Sequence, residues 1–100
     1  MKFGLDEKVL DKIKDIFIKY PEIKEAVIYG SRAKGNYKNG SDIDISLKGE
    51  NISLSLISSM ESDIDDLLLP YTFDFSIFEK ISNEELLEHI ERVGVSIYKC

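Results

Sequence analysis

Cysteine, proline and tryptophan are scarce in this sequence. Its 100 residues include one cysteine, two prolines and no tryptophan. Because a disulfide needs two thiols, the single Cys100 excludes an intrachain disulfide and is consistent with a reducing compartment. The low proline content, together with 43% hydrophobic residues, excludes a disordered or collagen-like chain. We therefore expect one globular domain that spans residues 1–100.

Long hydrophobic runs are also missing. No apolar segment approaches the roughly 20 residues that a membrane span requires. The N-terminal segment Met1–Asp6 becomes charged at once and has no apolar region, which is unlike a signal peptide. These two absences predict a cytoplasmic protein with no membrane partner.

Positive charge is scarce in the second half of the chain. Residues 1–50 contain 10 Lys/Arg and 9 Asp/Glu, whereas residues 51–100 contain 3 and 10, and the net charge is −6. Proteins that follow a nucleic-acid backbone usually carry a basic stripe, so we expect no nucleic-acid partner. The acidic half could face a basic protein partner, or it could be a solvated surface that keeps the chain in solution.

The spacing of hydrophobic residues predicts seven elements. Positions three and four apart indicate helices, strict alternation indicates half-buried strands, and a short apolar run indicates a buried strand. The predicted helices cover residues 6–20, 52–69 and 82–93, and the predicted strands cover 26–29, 42–47, 71–78 and 95–98. Residues 31–40 are predicted to form a loop that opens with one helical turn. This order predicts an α+β fold, with a small mixed β-sheet and helices packed on one face.

Two acidic residues stand two apart on the second predicted strand. Because side chains alternate along a strand, Asp42 and Asp44 project from one face, about 6.5–7 Å apart at Cα, while Ile43 and Ile45 point into the core. Neighbouring carboxylates repel unless a cation lies between them, and oxygen ligands favour Mg²⁺ or Mn²⁺. The pair predicts a metal site, with a solvent-exposed acidic strand as the alternative.

A turn with glycine and serine follows the first predicted strand. Gly30 permits close approach of another group, and the N–H groups of a strand-to-helix turn favour an anion. Ser31 adds a hydroxyl donor, and Arg32 and Lys34 add positive charge. The turn predicts a phosphate site, with an ordinary Gly-Ser turn as the alternative. A phosphate site beside a metal-binding pair is what nucleotide chemistry requires.

A third acidic residue, Asp74, lies in the strongly apolar strand Tyr71–Phe78. Aspartate is depleted in strands, so its presence there needs a reason. If this strand pairs with the one that carries Asp42 and Asp44, three carboxylates converge at one place. A two-metal centre for phosphoryl transfer needs about that many ligands. The alternative is an aspartate exposed on the open face of the sheet.

Together these residues resemble a known signature. Gly30-Ser31, ten further residues and then Asp42-x-Asp44 resemble the G-S-x(10)-D-x-D pattern of minimal nucleotidyltransferases, or MNT domains, in the DNA polymerase β superfamily. Asp74, on its apolar strand, matches the later acid of that family. The resemblance covers essentially the whole chain and implies the polymerase β-like nucleotidyltransferase fold.

The resemblance also implies a site and a reaction. Members of this family transfer a nucleoside monophosphate to a hydroxyl, with Mg²⁺ or Mn²⁺ as cofactor and a nucleoside triphosphate, here expected to be ATP, as substrate. The implied residues are three catalytic, metal-binding acids and four nucleotide-binding residues: Asp42, Asp44 and Asp74; Gly30, Ser31, Arg32 and Lys34.

A protein partner is implied as well. Small MNT proteins pair with helical HEPT-domain proteins in hetero-oligomers, and several such pairs are toxin–antitoxin modules. In those pairs the MNT protein is the antitoxin and adenylylates a tyrosine of its partner. Two alternatives stay open: a non-catalytic antitoxin that acts by contact alone, and the catalytic subunit of a two-subunit enzyme that modifies a small molecule.

The remaining residues with functional side chains are predicted to be structural. His89 has acidic neighbours on the last predicted helix, so we expect it at the surface. Tyr29, Tyr71 and Tyr98 are expected to be core or sheet residues.

Overall fold

The computed structural model describes residues 3–38 and 40–100, which form a four-stranded sheet and four α-helices. The elements are α1 (Glu7–Ile18), β1 (Ile23–Tyr29), α2 (Gly30–Lys34), β2 (Ile43–Gly49), α3 (Leu54–Asp65), β3 (Phe73–Ile77), α4 (Glu84–Val93) and β4 (Val95–Lys99). A short 3₁₀ turn, Phe78–Lys80, follows β3. None of the described helices is long and apolar enough to cross a bilayer.

The sheet is mixed and has the strand order β3-β2-β1-β4. β1 is antiparallel to both β2 and β4, whereas β2 and β3 are parallel. Parallel neighbours need a crossover connection, and α3 supplies it between β2 and β3. The α+β prediction is confirmed. The strand that carries Asp74 pairs with the strand that follows Asp42, which meets the condition for three carboxylates to converge.

The main core lies between one face of the sheet and the helices α1 and α3. We call this side of the sheet the apolar face. Its buried strand residues include Ile28, Ile43 and Ile45, and Phe73 and Phe75 pack at its edge. The inward direction predicted for Ile43 and Ile45 is confirmed. Burial of large aliphatic side chains at about 1.5–3 kcal/mol each is the main stabilisation of this layer.

The fourth helix packs differently from the prediction that all helices share one face. Ile90 of α4 forms a second cluster with Val27 and Tyr29, whose side chains lie opposite those of Ala26 and Ile28 on β1. The reason is the continuous apolar run of β1, which is buried on both faces of the sheet. α4 therefore covers part of the face that α1 and α3 leave open.

Several element boundaries differ from their predicted positions. Ser53 caps α3 by accepting a hydrogen bond from the Leu56 N–H, so this helix begins at Leu54 rather than at residue 52. The last helix was predicted to begin at residue 82, but α4 begins at Glu84, because Asn83 caps it and its side-chain oxygen accepts from the N–H of Glu85. Serine and asparagine are equally good caps, so adjacent positions compete and the chain geometry decides between them.

Helices α1 and α3 are joined by a hydrogen bond at their C-terminal ends. The Tyr20 hydroxyl donates to the Asp63 carboxylate at 2.6 Å. This bond, with smaller contributions from burial and from the negative charge of Asp63, raises the pKa of Tyr20 from its ordinary value of 10.0 to about 12.

The Tyr20–Asp63 bond predicts a pH dependence of stability. Because the folded chain holds the phenol proton more tightly than the unfolded chain, the bond contributes fully below pH 10.0 and is lost as the pH rises towards about 12. Tyr20→Phe should lower the free energy of unfolding by about 0.5–1.5 kcal/mol at neutral pH. Urea titrations should show the two proteins converging at alkaline pH. A constant difference across that range would contradict the prediction.

Candidate active site

Three polar side chains lie in a row across the sheet. In the strand register Tyr29 is opposite Asp44, and Asp44 is opposite Asp74. Residues directly opposite one another share a face of the sheet, and Asp42, two positions before Asp44, projects from the same side. We call this side, opposite the apolar face, the acid face. The structure thus places the three predicted acids on one surface.

The central acid, Asp44, is the most buried of the three. Burial raises the pKa of Asp44 above its ordinary value, the negative charges of Asp74 and then Asp42 raise it further, and the nearby His89 offsets part of this effect. Asp42 and Asp74 are exposed, whereas Asp44 is half-buried. A cation bound at this place would relieve both the desolvation and the repulsion.

The donor chemistry of the acid face fits a hard divalent cation. Its carboxylates supply only oxygen ligands, which suit Mg²⁺ or Mn²⁺ rather than zinc. Across residues 3–38 and 40–100, no three histidine, cysteine or acidic side chains lie close enough together to enclose an ion as they stand.

Gly30 lies directly beside the acids, at the junction of β1 and α2. Its φ of +76° is in the left-handed region that favours glycine, and a Cβ at this position would overlap Oδ2 of Asp44. Any other residue at position 30 would therefore have to displace the Asp44 carboxylate to adopt this turn. The sequence predicted a close approach at Gly30, and the structure identifies Asp44 as the group that approaches.

The turn that follows Gly30 is a short helix with an uncapped start. The side chain of Tyr29 makes no capping hydrogen bond to α2, and the first N–H groups of a helix have no partner within it. Ser31 is half-buried in this first turn. At the other end, the Gly35 N–H donates to the Ser31 carbonyl and ends the helix. The start of α2 therefore lies beside Asp44 and has N–H groups without a partner inside the helix.

Arg32 is buried and bound to the protein itself. One guanidinium nitrogen donates to the Phe3 carbonyl at 3.0 Å, and another donates to the Ser41 carbonyl at 2.9 Å. The guanidinium also lies over the ring of Tyr37, 4.9 Å from its centroid. Since Ser41 immediately precedes Asp42, we interpret Arg32 as a residue that positions the strand entry. Its predicted nucleotide contact stays a prediction, as does that of the exposed Lys34.

The family of the chain follows from a comparison of its sequence with known families. Residues 11–100 match the family model described as polymerase beta, nucleotidyltransferase. The chain belongs to this nucleotidyltransferase family. The match confirms the resemblance drawn from Gly30, Ser31, Asp42 and Asp44, and with it the predicted enzyme class. A comparison with curated proteins finds no match.

Solved structures of toxin–antitoxin complexes contain chains with the same fold as this nucleotidyltransferase. A toxin–antitoxin structure with AMP-PNP matches at 16% identity, 96% coverage of this chain, 75% coverage of that chain and a TM-score of 0.73. A structure of a tri-AMPylated Shewanella oneidensis HEPN toxin with its MNT antitoxin matches at 13% identity and a TM-score of 0.70, with 96% of this chain and 74% of that chain covered. A structure of the toxin–antitoxin MntA–HepT matches at 13% identity and a TM-score of 0.69, with 95% of this chain and 74% of that chain covered. Identities this low show a shared fold.

Beside the acids, the structure confirms Tyr29 as a buried sheet residue but places His89 differently from its prediction. His89 is half-buried rather than exposed, and its ring meets the ring of Tyr29 edge-on, with centroids 6.2 Å apart. Burial raises the pKa of the Tyr29 phenol, the nearby Ser76 partly offsets this, and the charges of Asp44 and Asp74 raise it further. The available signal was helical spacing, since His89 lies three residues after Leu86 and so faces the sheet.

Proposed function

We propose that this nucleotidyltransferase transfers AMP from ATP to a tyrosine hydroxyl of a partner protein, as the antitoxin of a HEPT/MNT pair in the cytoplasm. The observation that carries the proposal is the register of Asp44 with Asp74 beside the Gly30–Ser31 turn. The similar structures support it, because one includes AMP-PNP and another an AMPylated toxin with its MNT antitoxin.

In this proposal the start of α2 binds the triphosphate. The N–H groups of Gly30 and Ser31 and the Ser31 hydroxyl donate to phosphate oxygens, and Lys34 balances part of their charge. Asp42, Asp44 and Asp74 would hold Mg²⁺ or Mn²⁺, which when bound offsets the charge on the phosphates. Tyr29 and His89 shield one side of Asp44 from water, which strengthens electrostatic interactions there.

The transfer is a displacement at the α-phosphorus of ATP. The oxygen of the acceptor tyrosine forms a bond to this phosphorus, the bond from the phosphorus to the oxygen that bridges to the β-phosphate breaks, and pyrophosphate leaves. Asp74 accepts the hydroxyl proton in this scheme. It is the exposed acid on β3, the outermost strand on its side of the sheet, so an acceptor can reach it from solvent.

The partner fits the charge distribution of the chain. α4 and the end of α3 carry most of the acidic residues of the second half, where Asp and Glu outnumber Lys and Arg by 10 to 3. Such a surface attracts a basic protein and speeds the encounter with it. A HEPT-domain protein with a basic contact surface would therefore associate with this half and present its tyrosine to the acid face.

The proposal is tested by co-expression with a HEPT-domain partner protein and by measurement of the intact mass of that protein. We expect one or more AMP additions that require ATP and a divalent cation, with release of pyrophosphate. Asp15→Asn, an exposed substitution on α1, should behave like wild type. An unmodified partner that is nevertheless neutralised would instead identify a non-catalytic antitoxin, and AMP found only on a small molecule would identify the two-subunit alternative.

A further inference from the structure

The outer edge of β3 carries backbone groups that no strand pairs with among the described residues. Within residues 3–38 and 40–100, the sheet ends at β3 on this side. The Ile43 N–H donates to the Thr72 carbonyl, so the backbone groups of Thr72 point towards β2. Because N–H and C=O directions alternate along a strand, the groups of Phe73, Phe75 and Ile77 point outwards. They form a row of donors and acceptors for another extended chain.

Two hollows, each of about 250 Å³, lie along this edge between β3 and α3. The first is lined by residues that include Glu61, Asp65 and Phe73, and the second by residues that include Leu54 and Lys80. Phe75 lines both hollows and so separates them. Alternate side chains of a strand stand about 6.5–7 Å apart, which is the spacing needed to place one in each of two adjacent hollows.

We propose that β3 binds the acceptor segment of the partner protein as an added β-strand. This inference rests on the proposed function and identifies how the acceptor reaches the site. A residue of the added strand opposite Asp74 would share the acid face with it, with Cβ atoms about 4.5–5.5 Å apart. A tyrosine at that position stands beside Asp74, while its neighbours in the segment fill the hollows on the apolar face. Main-chain bonds hold the segment, and the hollows select its side chains.

The charges along the edge favour a partner over a second copy of this chain. Glu61 and Asp65 flank the first hollow, so a basic side chain of the partner fits there. Two copies that pair through β3 would each have a net charge of −6 and would repel one another. The exposed Leu54, with 74% of its surface accessible, adds an apolar contact at the second hollow that an aliphatic side chain of the partner can cover.

The test compares Phe75→Pro with Phe75→Ala. Both variants lose the ring, but only proline removes the outward N–H, and this N–H is not part of the ladder to β2. We expect the rate of AMP transfer to the co-expressed HEPT-domain partner, as kcat/KM, to be about tenfold lower for Phe75→Pro than for Phe75→Ala. Stabilisation by Mg-ATP, measured by thermal melting, shows whether each variant keeps its nucleotide site.

Amide hydrogen exchange of the wild-type chain provides a second test, which requires neither a Phe75 variant nor AMP transfer to the partner. With the partner present, the N–H groups of Phe73, Phe75 and Ile77 should exchange more slowly, and this holds even if the partner receives no AMP. If the partner protects these amides but receives no AMP, the proposed function is overturned and the added strand is not. The added-strand proposal would be overturned by amide exchange that the partner does not slow, or by equal AMP transfer by Phe75→Pro and Phe75→Ala. It would also be overturned if the amides became protected at high concentration of this chain without the partner.

Discussion

Gly30→Ala is expected to lower AMP transfer at least about a hundredfold while the chain stays folded. The new Cβ would overlap Oδ2 of Asp44, so the carboxylate has to move, and a displacement of about 1 Å at a reacting centre can cost that much. The positive φ of +76° adds about 1–2 kcal/mol of backbone strain. Calorimetry should show weaker ATP binding, and the partner-modification assay should show slower AMP transfer. Gly30→Val should lower both further.

Gly35→Ala provides a matched control for this substitution. Gly35 ends α2 with a φ of +85°, so alanine meets a similar strain there, but a Cβ at Gly35 would have no atom within 4 Å. The two variants should therefore lose comparable stability in thermal unfolding, whereas only Gly30→Ala should lose activity. If both transfer AMP equally well, the contact between Gly30 and Asp44 has no part in the reaction.

Asp74→Asn is expected to lower AMP transfer by about 10²–10⁴-fold with ATP affinity changed only a few-fold. Asp74 is exposed on the outermost strand, where the acceptor arrives, and in the proposed scheme it takes the hydroxyl proton. Asp44 lies between Asp74 and the Gly30 turn, so Asp44→Asn should weaken ATP binding as well as transfer. Comparison of kcat with KM for each variant separates the two roles.

Asp15→Asn serves as the control for removal of one exposed negative charge. It should change neither the binding nor the transfer, since α1 lies against the opposite face of the sheet. An equal loss of ATP binding in Asp74→Asn and Asp44→Asn would show that Asp74 belongs to the nucleotide site. Unchanged transfer by Asp74→Asn would remove it from the mechanism.

Much of the fold follows from local patterns in the sequence. The alternation Phe73-Asp74-Phe75-Ser76-Ile77 identifies a half-buried strand, since alternate side chains must lie on opposite faces. Helix α1 was predicted because hydrophobic residues three and four positions apart are a local signal of a helix. Boundaries were less predictable where competing caps stand side by side, as at Ser82 and Asn83.

Positions that depend on packing between distant segments could not be predicted in the same way. Arg32 is buried against the carbonyls of Phe3 and Ser41, which lie in separate parts of the chain, and no local pattern indicated these contacts. His89 looked like a surface residue, because its inward orientation depends on which face of the sheet α4 covers. Sequence spacing describes one element at a time and contains no information about which elements meet.

The sequence by itself determined the α+β class, the directions of Ile43 and Ile45, and the family, because these depend on periodicity and on residue types at set spacings. Only the tertiary structure decided that Asp74 stands opposite Asp44, that Gly30 touches the Asp44 carboxylate, and that β3 ends the sheet formed by the described residues. The physical reason is that strand order and register are set by burial of the whole sheet between its helices. A register shift of one residue would turn every one of these side chains to the other face.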